Sequence, residues 1–227
     1  MCDVCGCGDQ EVVSVEVNQR ILSANERQAS HNRTHFRQRG VLAINLMGSP
    51  GSGKTALLEA TAERAPGQRF AAVSGDLATE NDAERLERAG IRSRAITTGS
   101  ACHLDADMVH HALHHLDWDD VDALFIENVG NLVCPAIYDL GQQANVVLLS
   151  VTEGEDKPLK YPVMFRAADL VLLTKTDLLP HLPGMDRRRI EDALGRVMPE
   201  PRFLALSAVT GEGMGAWIDW LKQTRHS

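Results

Sequence analysis

Between residues 48 and 55 the chain reads Gly48-Ser49-Pro50-Gly51-Ser52-Gly53-Lys54-Thr55, the G-x-x-x-x-G-K-[ST] spacing of a phosphate loop. Each residue type has a task there. Gly48, Gly51 and Gly53 let the backbone turn its N–H groups inward, with Ser52 inside the same cradle, and a helix starting near Lys54 points its positive end at the anion. The Lys54 ammonium would reach the β- and γ-phosphates, and the Thr55 hydroxyl would ligate Mg²⁺. The bland reading is a chance Gly-rich turn, but the full motif stands between an apolar run and a helical stretch, as the chemistry requires.

A phosphate loop does not choose the base. Thr174-Lys175-Thr176-Asp177 approaches the N-K-x-D pattern, in which the acid accepts two hydrogen bonds from guanine and the lysine stem covers the ring. Thr174 departs from the usual Asn, whose work is to tie this loop to the phosphate loop; a Thr hydroxyl could do part of that. Ser207-Ala208, followed by Thr210-Gly211-Glu212-Gly213, resembles the loop whose backbone N–H reaches the guanine O6. Taken alone, that last pair is weak; in order, the three loops point to guanine.

Glu127-Asn128-Val129-Gly130 stands where many GTPases have D-x-x-G, with the acid on magnesium and the glycine sensing the γ-phosphate. Close by in sequence is Cys134, and an earlier turn carries Cys102-His103. Both loops follow strand candidates, so the three side chains are expected to converge at one sheet edge. Two thiols with an imidazole suit Zn²⁺ or Ni²⁺, and a water, an acidic group or a second subunit would complete the set. Sharing by two chains would place the ion on a dimer axis. The plainer reading of a Cys-His pair is packing plus a surface imidazole. If Cys134 does bind metal, its tether to Gly130 lets nucleotide state move a ligand.

The head, Cys2-x-x-Cys5-Gly6-Cys7, lacks the strand and helix of a redox C-x-x-C and the second C-x-x-C of a zinc ribbon. It reads as a soft-metal claw, and thiolates with a backbone or α-amino nitrogen give the planar N,S set that Ni²⁺ favours. His110, His111, His114 and His115 fall in one helical stretch as two i,i+4 pairs, a pattern that usually marks a solvated helix face.

The elements that must position these groups follow from pattern. The chain has 227 residues, 44% hydrophobic and 24% charged, with net charge −8, which excludes fibres, collagen and wholesale disorder. Basic residues are scattered, so no nucleic-acid partner is expected. No apolar run reaches the roughly 18 residues of a membrane span, and the start lacks the positive-then-apolar order of a secretory signal. A soluble, cytoplasmic chain with no membrane partner is the expectation. Five cysteines cannot all pair, which turns attention from disulfides to metal.

Residues 1–40 form a Cys-rich head and a polar stretch with a helix expected over 17–39; residues 41–227 alternate apolar runs with helical stretches. Strands are expected at 41–46, 70–74, 93–97, 121–126, 145–151, 169–173 and 202–206, and helices at 54–64, 80–89, 105–116, 186–198 and 212–223. That alternation predicts a three-layer α/β P-loop NTPase domain with a mostly parallel sheet, preceded by a short N-terminal metal-binding tail and helix. Ligands then sit at the carboxyl ends of the strands.

Together, the thiol head, GSPGSGKT, Ser74-Gly75-Asp76, Cys102-His103-Leu104-Asp105, Glu127 to Pro135 and Thr152-Glu153-Gly154-Glu155-Asp156-Lys157-Pro158 resemble the hydrogenase nickel-incorporation (maturation) GTPases, the HypB family. The resemblance covers nearly the whole chain. It implies a slow GTPase that dimerises when GTP binds, delivers nickel during [NiFe]-hydrogenase maturation with a zinc-binding partner chaperone, serves the hydrogenase large subunit indirectly, and holds Zn²⁺ or Ni²⁺ in its GTPase domain. It gives Lys54, Asp76 and Glu127 catalytic roles, Thr55, Asp76 and Glu127 the magnesium, and Lys175 and Asp177 the base, with Asp82 in the first switch. The long His-rich tract of some relatives is missing, which implies delivery rather than storage. Three alternatives stay open: a GTPase serving urease or a cobalamin enzyme, a metal-storage protein with a vestigial nucleotide site, and a P-loop kinase acting on a small molecule.

Overall fold

The computed structural model describes residues 15–75, 80–99 and 101–226, without the side chains of 15–19 and 80–83. Among these residues, seven strands form one sheet in the order β3-β2-β4-β1-β5-β6-β7, with every neighbouring pair parallel. β1 (Leu42–Gly48), β2 (Phe70–Ser74), β4 (Ala123–Glu127) and β6 (Leu170–Thr174) are buried along their length, and β5 (Ala144–Ser150) nearly so. Burial on both faces is why they read as continuous apolar runs. The edges, β3 (Arg92–Ala95) and β7 (Phe203–Ala205), are short and partly exposed, as strands with an unpaired side must be.

Alternate residues feed opposite layers. Ile44, Leu46, Phe70 and Phe125 pack with Leu57, Leu58, Leu86, Trp217 and Leu221 from α2 (Lys54–Arg64), α3 (Glu80–Arg88) and α8 (Met214–Arg225). On the other face, Ala43, Val73, Leu124 and Ile126 meet Phe36 and Val109 from α1 (Val15–Arg39) and α4 (Ala106–Leu113). Met47, Val147 and Leu173 meet α6 (Pro162–Arg166) and α7 (Arg187–Val197), with the single turn α5 (Lys157–Lys160) beside them. The three-layer α/β fold expected from the sequence is the fold observed. No helix among the described residues is long and apolar enough to cross a membrane.

The departures have physical causes. β1, β4 and β6 run one or two residues past their apolar stretches, to Gly48, Glu127 and Thr174, because ladder pairing continues after hydrophobicity stops: Glu127 is in register with both Leu46 and Ser74. The helix expected over 105–116 ends at Leu113, where His115 N–H turns back to Ala112 O; His111 and His115 are therefore not an i,i+4 helical pair. α5 and α6 carry Pro at their first turns, but at four and five residues they are too short to show a helical period in the sequence.

The polar helix α1 docks through few apolar groups. Phe36 is fully buried, with its ring edge-on to Trp118 at 5.6 Å, which contributes about 1.5–3 kcal/mol. Asparagines supply the rest: Asn25 donates to Asp139 O and accepts from Ala106 N, and Asn32 donates to Ala106 O and Leu140 O. Gly141 permits the approach, since a Cβ there would stand 2.5 Å from Ala29 O.

Candidate functional site

Every strand is parallel, so every strand's carboxyl end opens on one edge, and the motifs read from sequence gather there. β1 leads into the phosphate loop. At Gly48 a Cβ would meet Leu148 O and Ser52 Oγ at 2.7 Å each, so no side chain fits; Gly51 and Gly53 hold left-handed φ of 73° and 99°. Ser52 is fully buried, and its Oγ has no hydrogen-bond partner among the described residues. A buried hydroxyl without a partner is costly, and a phosphate oxygen would supply one. Lys54, only 3% exposed, begins α2 and reaches Ser49 O at 3.5 Å.

Glu127, 1% exposed, is held from two sides: Thr55 Oγ1 donates to Oε1 at 2.9 Å and Ser74 Oγ donates to Oε2 at 3.0 Å. A carboxylate and a hydroxyl in contact beside a phosphate cradle are hard oxygen donors of the kind Mg²⁺ takes. Thr55 and Glu127, which the sequence reading expects on one ion, are in direct hydrogen-bond contact. Asp76, Cys2, Cys5 and Cys7 lie outside the described residues, as does the Asp82 side chain.

The loops after β6 and β7 make a partly open hollow of about 250 Å³, lined by Gly53, Leu57, Thr174, Lys175, Asp177 and Ala208 among others. Thr174 Oγ1 donates to Ser52 O at 2.6 Å, so the threonine does tie this loop to the phosphate loop. Lys175, in a left-handed conformation at φ 60°, donates from Nζ to Gly51 O. Ser207 Oγ donates to Asp177 Oδ1 at 2.6 Å, which fixes the carboxylate at the mouth of a largely apolar slot. Such a slot suits a flat heterocycle with an N–H edge.

Cys102, His103 and Cys134 also converge, their donor atoms all within 4.8 Å of one another. Cys102 Sγ lies 2.9 Å from Cys134 Sγ and 3.5 Å from His103 Nδ1. Two thiolates on one zinc-sized ion stand about 3.3–3.8 Å apart, so a small opening of the pair would admit a metal. The His103 ring stacks on Tyr138 at 3.9 Å, and burial lowers its pKa against the pull of Asp105. The ring is therefore held neutral, the form that coordinates. Val133 and Ile137, flanking Cys134, are 53% and 55% exposed.

Contacts that the sequence did not reveal join the two halves. Asn128, fully buried beside Glu127, accepts from Leu104 N, the residue after His103, and donates to Asn45 of β1. Gly130 packs so closely on the phosphate loop that a Cβ would meet Pro50 Cγ at 2.8 Å, and Asn131 forms an isolated antiparallel bridge with Gly48. Both cysteine-bearing loops are thereby bonded to the segments around the phosphate loop. One signal was present: Asn45, polar within an apolar strand, had to have a buried partner.

The model of the CobW/HypB/UreG nucleotide-binding domain matches residues 42–204. The hydrogenase maturation factor HypB of Rhizobium leguminosarum bv. viciae is 51% identical over 218 residues, spanning 96% of this chain and 72% of that protein. That of Escherichia coli strain K12 is 47% identical over 221 residues, 97% and 75% of the two chains. Among solved structures, HypB from Archaeoglobus fulgidus superposes with a TM-score of 0.84 at 41% identity, over 90% of this chain and 100% of that one. HypB from Helicobacter pylori in complex with nickel superposes with a TM-score of 0.85 at 38% identity, over 89% and 95%. The chain belongs to the HypB family of hydrogenase maturation factors, within the CobW/HypB/UreG nucleotide-binding domains.

Proposed function

We propose that the chain is a GTP-hydrolysing nickel metallochaperone of [NiFe]-hydrogenase maturation, in which nucleotide state governs dimerisation and nickel transfer. The observation that carries the reading is the direct bonding of the Cys102-His103-Leu104 loop to Asn128, next to Glu127. Family membership and the nickel complex of the Helicobacter pylori relative support the cargo.

GTP lies with its phosphates in the cradle of Gly48, Gly51, Ser52 and Gly53 and its base between Lys175 and Asp177, against Ala208. Thr55 and Glu127, with Asp76, would hold Mg²⁺, which when bound would supply neutralisation of phosphate charge. Lys54 and the loop N–H groups stabilise the transferring phosphoryl. The sequence marks no arginine finger, so intrinsic turnover is slow and hydrolysis acts as a timer. Gly130 reads the γ-phosphate through its contact with Pro50 and passes its position along Asn131 to Cys134.

Cys102, His103 and Cys134 bind Ni²⁺ or Zn²⁺, and a second copy of the chain completes the coordination. Exposed Val133 and Ile137 make the metal face suited to a homodimer. GTP favours this dimer and hydrolysis releases the metal. Residues 1–40 form the tail and helix unit, whose Cys2, Cys5 and Cys7 bind nickel; a zinc-binding partner chaperone takes part in the delivery, and the hydrogenase large subunit is served indirectly. The work is done in the cytoplasm.

The nucleotide half is checked by steady-state hydrolysis of GTP and ATP with magnesium. Asp177→Ala is expected to raise KM for GTP about 10- to 100-fold through lost charged hydrogen bonds. Equal use of ATP and GTP by the wild type would refute the base assignment.

A further inference from the structure

Four imidazoles meet on a face that neither the nucleotide nor the Cys102, His103 and Cys134 set uses. His31 and His35 stand one turn apart on α1, His110 lies on α4, and His114 caps it. The donor nitrogens of His31, His35 and His110 all lie within 4.8 Å of one another, and His110 Nε2 is 3.1 Å from His114 Nε2. The ring centroids of His31 are 4.3 Å from His35 and 5.1 Å from His110.

Packing does not require this arrangement. The seam between α1 and α4 is already held by Phe36, Asn25 and Asn32, whereas His31 and His114 are exposed and His35 and His110 half-buried. His35, His110 and His114 border an open, largely polar hollow of about 240 Å³, where Arg39 is engaged by Asp119 at 2.6 Å. Two imidazole nitrogens on one ion, each about 2.0–2.1 Å from it, stand about 3.0 Å apart in cis octahedral and about 3.4 Å in tetrahedral geometry. The observed 3.1 Å lies in that range. Burial, then the neighbouring imidazoles, lower the pKa of His110; burial, then His31, do so for His35. Both rings thus keep a lone pair for coordination.

We propose that His31, His35 and His110, with His114 beside His110 as a further donor, form a separate site for a divalent transition-metal cation, Zn²⁺ or Ni²⁺, at the junction of α1 and α4. A cluster of neutral imidazoles without a thiolate suits these ions and disfavours Mg²⁺ or Ca²⁺. The site does not depend on the GTPase reading, because none of its ligands touches the nucleotide loops.

The test is calorimetric titration of the full chain, with all five cysteines replaced by serine, using Ni²⁺ alone and Zn²⁺ alone. One equivalent is expected, weakened more than about 100-fold in H35Q/H110Q and unchanged in H115Q, which lies outside the cluster. X-ray absorption should show nitrogen and oxygen scatterers only. The same double substitution in the cysteine-intact chain should remove one equivalent relative to wild type, which decides the matter even if the serine variant fails to fold. Equal stoichiometry and affinity with and without His35 and His110, or equal weakening in H115Q, would overturn the proposal.

Discussion

Lys54→Ala is expected to lower kcat for GTP hydrolysis by about 100- to 1,000-fold, the range found when one preorganised donor to a developing charge is removed. The reasons are local. Lys54 is the first residue of α2, so its ammonium and the positive end of the helix act on the same anion. With only 3% of the residue exposed, water screens that charge little. Alanine keeps the helix and removes the charge, so the loss belongs to the chemical step and to γ-phosphate affinity rather than to folding. Phosphate release with magnesium, alongside thermal unfolding of the variant, separates these effects. Binding of GDP should suffer less than binding of GTP, since Asp177 and the loop N–H groups remain. Turnover close to wild type would place hydrolysis outside this loop.

The second large effect is expected at the thiol pair. Cys134→Ala should weaken nickel binding at the GTPase-domain site by more than about 100-fold, beyond the 10- to 100-fold typical for loss of a residue that only supports a ligand. The pair is built to act together: Cys134 is 7% exposed, Cys102 Sγ lies 2.9 Å from it, and His103 is locked against Tyr138. Removing one thiol leaves an incomplete set that water must finish. Competition against a chelator of known affinity, with a count of equivalents bound, measures this. The equivalent assigned to Cys2, Cys5 and Cys7 should persist. A variant that still binds the wild-type number of nickel ions with wild-type affinity would show that Cys134 is no ligand.

Much of this site was legible in the sequence because its motifs are local. The phosphate loop, Thr174 to Asp177 and Ser207-Ala208 each carry their chemistry in a few consecutive residues, and apolar runs marked the strands that deliver them. Thr174 was legible in role as well as place: its hydroxyl bonds to Ser52 O, the tie expected of the residue it replaces. What stayed hidden depends on pairing across the sheet. The bond from Leu104 N to Asn128 joins the loops after β3 and β4, and nothing in either segment names the other. The same holds for the histidines, since His31 and His35 meet His110 only once α1 lies on α4. That docking was itself obscure, because buried asparagines hold the helix where an amphipathic stripe would have announced it. Strand ends were misplaced by a residue or two where hydrogen bonds outlast hydrophobicity, as at Glu127.

The hydrogen bond from Leu104 N to Asn128, next to Glu127, and the pairing of Asn131, three residues before Cys134, with Gly48 give the proposed coupling of metal and nucleotide its route. Equilibrium nickel binding to the full chain, compared between GDP and a non-hydrolysable GTP analogue in magnesium, tests this most directly. Tighter binding with the analogue, by about 5-fold or more, and a matching rise in the dimer fraction are expected. Identical affinity, stoichiometry and dimerisation in the two nucleotide states would contradict it.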